Sequence, residues 1–363
     1  MEQDGGGSFG FCGSWREYAP IAFTNLALNL ATLGIYRFWA KTRTRQYLWS
    51  RSRFIDDRLE WTGTGTELLV GFLLAICLMG IPFLFLQYGA QIMVFSGHEV
   101  AAQLCVLAAL LMLSYLGGVA RMRSLRYRFS RTYWHGIRGG SDDNGFKYGL
   151  VFMGRTLLGY LAAGLLTPWA MITLWNSRMS KISFGPHHFV AQGKARPLLG
   201  RFLLFYLSPL LLGLLFFAIA GTFGYNIGGV TIYSNLPKIF RIAALIVIMV
   251  GVYALLGMIT LTYYAAFLRE AINNLELEGL RFSFEASTDD WLMLFFGDAG
   301  LVIGTLGIGW IFLEYRHWKF FMTHLQAEGE IDLNALTQSQ TRQARQGEGL
   351  MDAFDVEIGR AHV

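Results

Sequence analysis

The sequence predicts an all-α polytopic membrane protein with internal repeats of broken or re-entrant helices, two transmembrane hairpins and small cytoplasmic β elements. Three observations predict it. Hydrophobic residues make up 54% of the 363 residues and charged ones 15%, with mean hydropathy +0.40, where a soluble domain carries about 25% charge. Four runs, 68–95, 100–120, 198–224 and 239–264, are apolar for the ~20 residues needed to cross about 30 Å of hydrocarbon. Finally, Thr32-Leu33-Gly34-Ile35 recurs as Thr305-Leu306-Gly307-Ile308, and eleven residues after each Thr stands Arg43 or Arg316.

The N-terminal stretch 1–7 is acidic and glycine-rich and lacks the basic n-region of a secretory signal. Run 18–40 is therefore expected to act as an internal insertion signal. Ahead of it, Phe9-Gly10-Phe11 alternates aromatic and small residues before Gly13-Ser14. The same pattern recurs at Leu59–Thr64 and Phe282–Ser287, and more loosely at His188–Gly193. Period-2 alternation ending in a small residue reads as a short strand, and the Ser or Thr can cap the next helix. Such strands could pair into a small sheet at the cytoplasmic headgroup level or remain disordered interfacial loops.

Runs 18–40, 148–175 and 291–313 are long but interrupted. Each is followed by basic residues, and 148–175 has them at both ends, Lys147 before and Arg178 and Lys181 after. Cytoplasmic loops are the basic ones, so two basic ends call for an even number of crossings, zero included. The three runs then read as re-entrant or interfacial helix pairs, broken at Thr32-Leu33-Gly34, Thr167-Pro168 and Thr305-Leu306-Gly307, since Gly and Pro break helices. An ordinary seven-span protein is the alternative. The uninterrupted runs pair into two hairpins through loops poor in Lys and Arg, 96–99 and about 225–238, both read as periplasmic. The organisation that follows is a first repeat over 1–143, a second over 144–281, a partial third over 282–328, and a polar tail over 329–363.

Net charge is +5, with Arg and Lys gathered after the apolar runs. This is a topological signal that also attracts anionic headgroups, and nucleic-acid binding is excluded as its reading. The three cysteines form no C-x-x-C, and no H-E-x-x-H, G-x-S-x-G or Walker loop occurs. No metal site, cofactor or catalytic constellation is expected.

Polar residues within apolar runs are the candidates that remain, because lipid makes them costly. Asp298 lies seven residues before Thr305 and matches Asn25, with Asn29 one turn beyond. Asp298 could hold a cation or proton, pair with a repeat arginine, or cap its helix. Arg43, Arg178 and Arg316 could take anionic headgroups or an anionic ligand through bidentate forks, or anchor the topology by snorkelling.

Phe9-Gly-Phe11, Thr32-Leu-Gly-Ile-Tyr36, Trp39-Ala-Lys41, Arg43 and Tyr47 together resemble the signature of the YjgN-like family of bacterial inner-membrane proteins, a domain family of unknown function. The resemblance covers about residues 9–328, and Asp352-Ala-Phe354-Asp-Val356 is similar to the family's C-terminus. The middle copy departs most, with Pro168-Trp169-Ala170 in place of Leu-Gly-Ile. The resemblance implies a polytopic protein of the bacterial inner membrane, brings no catalytic residues, and suggests a membrane zinc metallopeptidase as a partner. Two functional classes follow: transport, including channel or lipid-handling roles, and a non-transporting adaptor or regulator of a partner protein.

Overall fold

The computed structural model describes residues 8–222, 238–331 and 336–341. Its elements, in chain order, are β1 (Phe9–Phe11), α1 (Trp15–Ala31), α2 (Arg37–Ser50), β2 (Ser52–Phe54), β3 (Asp57–Arg58), β4 (Glu60–Trp61), α3 (Gly65–Leu84), α4 (Ala90–Phe95), α5 (Glu99–Arg131), β5 (Thr132–Trp134) and β6 (Ile137–Gly140). Then follow α6 (Phe146–Leu161), α7 (Thr167–Met179), β7 (Ser183–Phe184), β8 (His187–Ala191), α8 (Leu199–Thr222), α9 (Lys238–Asn273), β9 (Leu275–Leu277), β10 (Leu280–Phe284), α10 (Thr288–Gly304), α11 (Leu313–His324) and β11 (Leu325–Glu328). A π-helical turn, Phe85–Gly89, joins α3 to α4 in one continuous helix.

The fold is not all-α. Strands β4 to β11 form one curled, antiparallel eight-stranded sheet in consecutive order, and β1, β2 and β3 form a second, three-stranded one. Two bonds link them: the N–H of Ser8, next to β1, donates to Gln326 Oε1 of β11 at 3.2 Å, and Trp134 Nε1 of β5 donates to the Phe54 carbonyl of β2 at 2.9 Å. These strands are two to five residues long, too short for several of them to show an alternation, and most partners in the ladder are separated by a whole helix pair. The aromatic strands at 9–11, 60–61, 187–191 and 280–284 are all present.

Tight turns and helix pairs alternate along this meander. Turns join β2–β3, β5–β6, β7–β8 and β9–β10, with positive φ at Ile55, His135-Gly136, Gly185 and Glu278-Gly279, the backbone that two-residue hairpins require. Leu59 alone joins β3 to β4, and the remaining connections are helical. Five helical excursions leave one rim of the strands and return to it: α1–α2, α3–α5, α6–α7, α8–α9 and α10–α11. Four helices are long and apolar enough to cross a membrane: Gly65–Phe95, Glu99–Arg131, Arg196–Leu214 and Gly251–Asn273. They are the limbs of the two long excursions. Glu67 at the foot of α3 accepts from Tyr127 Oη at 2.8 Å and pairs with Arg131, tying the two feet of the first hairpin together.

The three short pairs share one turn. Leu33-Gly34, Ala163-Gly164 and Leu306-Gly307 each place two successive residues at φ between 51° and 93°. Each glycine N–H donates back to the carbonyl five residues earlier, Asn29, Gly159 or Val302, at 2.7–2.8 Å. This is a left-handed helix end at which a Cβ is strained and glycine is favoured. The threonines have a definite job: Thr32 Oγ1 donates to the Leu28 carbonyl and accepts from Tyr36 N–H, and Thr305 Oγ1 does the same for Leu301 and Gly309. In the middle pair the break lies at Ala162–Leu166, ahead of Thr167-Pro168. Those two residues open α7, where a proline N–H is not needed.

Aromatic rings fill the concave face of the sheets. Phe9 stacks on Phe54 with centroids 4.4 Å apart, Phe54 meets Trp134 at 4.7 Å, and Phe282 meets Phe189 at 6.0 Å. The opposite, turn-bearing rim is charged, with His135 on Asp56 at 2.9 Å and His187 on Glu278 at 3.0 Å. The tail does not remain wholly solvated: Leu336 and Ser339 are buried, and Gln338 accepts from Arg138 N–H and donates to the Gly136 carbonyl. Residues 225–237 of the second expected loop, and the apolar positions 350–358, lie outside the described residues.

Helix α10 begins with a reciprocal cap. Ser287 Oγ accepts from Asp290 N–H at 3.1 Å, while Asp290 Oδ2 accepts from Ser287 N–H at 2.8 Å. These bonds from Ser287 hold the Asp290 carboxyl below its usual range. Ser287→Ala is expected to cost about 1 kcal/mol. Because the folded pKa is lowered, this stabilisation is complete above the ordinary carboxylate range and fades as pH falls through the lowered value. Denaturation of wild type and variant over a pH series checks it: the gap between them should narrow in acid.

Candidate functional site

A cavity of about 610 Å³ runs between α1, α2 and α11 and continues into the aromatic hollow of the sheets. Its sheet end is walled by Phe54, Trp134, Phe189 and Phe282, and its far end by Asn25, Asn29, Arg37, Phe38 and Lys41. Because α1 runs away from the sheets and α2 returns, this far end lies toward the tip of the helix pair. The walls are mostly apolar, and the polar groups collect at the far end and along α2.

Asn25 is 6% exposed, and its Nδ2 donates to the Ala40 carbonyl at 3.2 Å and to Thr44 Oγ1 at 3.4 Å. Its Oδ1, and that of Asn29, are buried with no hydrogen-bond partner among the described residues. A buried unmet acceptor costs about 1–3 kcal/mol, so two of them lining one cavity mark a place where a donor group belongs. Arg37, Lys41 and Arg45 line the same wall. Arg37 lies over the Phe72 ring at 4.3 Å and Arg45 over Trp61 at 4.9 Å. Their spacing of four residues marks one face of α2, and this is the signal by which the sequence reveals them. At the sheet end Tyr47 Oη donates to the Ser14 carbonyl at 2.8 Å, and burial pushes its pKa up to about 12, so the ring stays neutral.

Asp298 is placed differently. Its carboxylate accepts from Arg316 Nε at 2.6 Å and lies 2.6 Å from His317 Nε2, with its side chain 14% exposed. It is thus engaged by its own partner helix, and only His317 extends from this cluster to the cavity wall. The structure does not bring Arg43, Arg178 and Arg316 together. Arg43 is exposed and donates to Tyr36 Oη at 3.2 Å, whereas Arg178 lies over Trp175 at 5.5 Å with its Nε buried and unpartnered. Among the described residues, no group of three or more His, Cys, Asp or Glu is gathered to hold a metal. The arrangement can hold an elongated amphiphile. It has apolar walls, a basic flank and amide oxygens at one end.

A family model described as bacterial protein of unknown function (DUF898) matches residues 7–353. The inner membrane protein YjgN of Escherichia coli K12 is 30% identical over 131 residues, 36% of this chain and 30% of that protein. Its counterpart in Salmonella typhimurium is 22% identical over 129 residues, 34% of this chain and 33% of that protein. The matched region spans about a third of these curated relatives. No solved structure matches.

Proposed function

This chain belongs to the bacterial protein family of unknown function DUF898, and we propose that it handles an anionic amphiphile, a lipid or lipid-like molecule, at the inner membrane in which it resides. The cavity carries the proposal. It is apolar along its length, basic on one flank and supplied with two unmet amide oxygens, as an acyl body with a hydroxyl-bearing anionic head requires.

The helix pairs support the same reading. In this proposal the two long excursions span the bilayer, and the three short pairs are re-entrant repeats that dip into it from the side of the sheets. Their tips carry bare apolar residues: Leu33 and Leu306 are 95% exposed and Tyr160 is 78% exposed. Side chains so uncovered favour hydrocarbon over water. A 17-residue helix such as α1 reaches about 25 Å, short of a full crossing and deep enough for the far end of the cavity to meet lipid. No covalent chemistry is involved.

Ala22 is 2% exposed and lines the cavity. Ala22→Trp fills it and is expected to lower co-purified lipid at least about tenfold, a change of about 1.4 kcal/mol in binding, as measured by mass spectrometry of the extracted protein. Asn25→Ala, a milder change, is expected to weaken retention while leaving the fold intact. Unchanged lipid content in both variants would sink the proposal. That outcome would favour the alternative, an adaptor or regulator of a membrane partner such as a zinc metallopeptidase, which draws on the charged rim where the tail segment 336–341 already docks as an extended peptide.

A further inference from the structure

The middle helix pair carries a feature that the cavity does not use. Counted nine residues back from the turn glycines Gly34, Gly164 and Gly307, the first helix of each pair holds one polar side chain: Asn25, Arg155 or Asp298. In the outer pairs the second helix answers it, Thr44 and the Ala40 carbonyl for Asn25, Arg316 and His317 for Asp298. In the middle pair Arg155 lies over the Trp169 ring of α7 at 5.9 Å, and its Nη1 is buried with no acceptor among the described residues.

Arg155 is not alone. The α5 and α6 backbones are so close that a Cβ on Gly118 would lie 2.9 Å from Gly149 Cα. This approach sets Arg121 of α5 over the Phe152 ring of α6 at 4.5 Å. Arg178 of α7 adds a second buried, unpartnered donor, its Nε. Tyr148, Phe152 and Arg155 follow one another along one face of α6, Arg121 lies over the middle one of the three, and α7, which carries Arg178, packs against the same helix, with the charges of all three arginines felt at the Tyr148 hydroxyl. None of them has a carboxylate within ion-pairing distance among the described residues; the Arg121 Nη1 bond to the Gly117 carbonyl is a neutral one. Three positive charges on closely packed apolar helices, with donors left unmet, are strongly unfavourable unless an anion completes them.

We propose that Arg121, Arg155 and Arg178 form a phosphate-binding site between α5, α6 and α7, distinct from the cavity at α1, α2 and α11. Guanidinium forks match the oxygens of a phosphate group, and the negative charge of a mono- or diester offsets part of the charge of three neighbouring guanidiniums. The phosphate can come from an anionic lipid headgroup at the bilayer surface or from a soluble phosphate.

The test uses the full chain in neutral detergent, with phosphatidylglycerol, phosphatidylcholine or inorganic phosphate added. Thermal midpoints and native mass spectrometry are read together. Phosphatidylglycerol is expected to raise the midpoint and remain bound where phosphatidylcholine does not. Arg155→Gln should weaken it about tenfold or more, Arg121→Gln with Arg178→Gln further, and Arg43→Gln, on an exposed face, not at all. Protection by inorganic phosphate alone supports the site and assigns it a soluble ligand. Arg155→Lys keeps the charge without the fork and is expected to bind with intermediate strength, so the measurement survives if a neutral variant fails to fold. With no anion added, Arg155→Leu should be at least as stable as wild type. The proposal is overturned if neither anion stabilises the wild type, if Arg155→Gln and Arg155→Lys both bind as the wild type does, or if Arg43→Gln loses as much as they do.

Discussion

Asp298→Ala is expected to destabilise the protein by about 3 kcal/mol, the lower part of the range for breaking a buried ion pair. The change strands Arg316 and His317, which both face the carboxylate at 2.6 Å. The figure is at the lower end because Arg316 is about a third exposed and water can recover part of its charge. Replacing Arg316 as well tests the assignment: Arg316→Met added to Asp298→Ala should regain much of the loss, since the arginine charge is then no longer left without its carboxylate. Denaturation of the single and double variants in detergent measures the coupling. Asp298→Asn should leave proton or solute flux in proteoliposomes unchanged, because this carboxylate is committed to its own helix pair. A flux that collapses while the fold stays intact would restore Asp298 to a transport role.

The second large effect belongs to Trp134. Its side chain is 1% exposed, packs against Phe54 at 4.7 Å and donates its indole N–H to the Phe54 carbonyl, which joins the two sheets. Trp134→Ala should cost about 4 kcal/mol, within the range for buried aromatic truncations. Trp134→Phe keeps most of the packing and leaves the Phe54 carbonyl unmet, for about 1–2 kcal/mol. If the two variants prove equally mild, the junction between the sheets contributes little to stability.

The membrane character, the family and the aromatic strands were legible because each rests on local composition or alternation. The sheet was not. Phe189 pairs with Leu277 across a whole helical hairpin, and nothing local in His187–Ala191 or Leu275–Leu277 names that partner. The middle turn was misplaced by side-chain matching. The backbone requires a residue followed by glycine at positive φ, which Ala163-Gly164 supplies without the Thr-Leu-Gly letters. Aligning Thr167 with Thr32 made Arg178 the counterpart of Arg43 and hid Arg155, the position that corresponds to Asn25 and Asp298. Arg121 could not be found from spacing at all, since its proximity to Arg155 and Arg178 comes from the contact of Gly118 with Gly149 across two helices. The cavity was half legible: Asn25 and Asn29 stand out as polar letters in an apolar run, whereas the aromatic hollow behind them exists only once the strands have curled.

The union of Ser8 with Gln326 spans 318 residues, and this bears on how the chain reaches its native state during synthesis. Each helical excursion begins and ends at the same rim, so each can form as a closed unit while later residues are still being translated. The strand at 9–11 has a different history. It finds β2 early, yet its neighbour β11 emerges only after every helix among the described residues has been made. Contacts of such sequence separation form slowly, and an unpaired edge left waiting invites mispairing. The last strand among the described residues thus completes the surroundings of one of the first, and slow maturation of the strand layer is expected to trail membrane insertion.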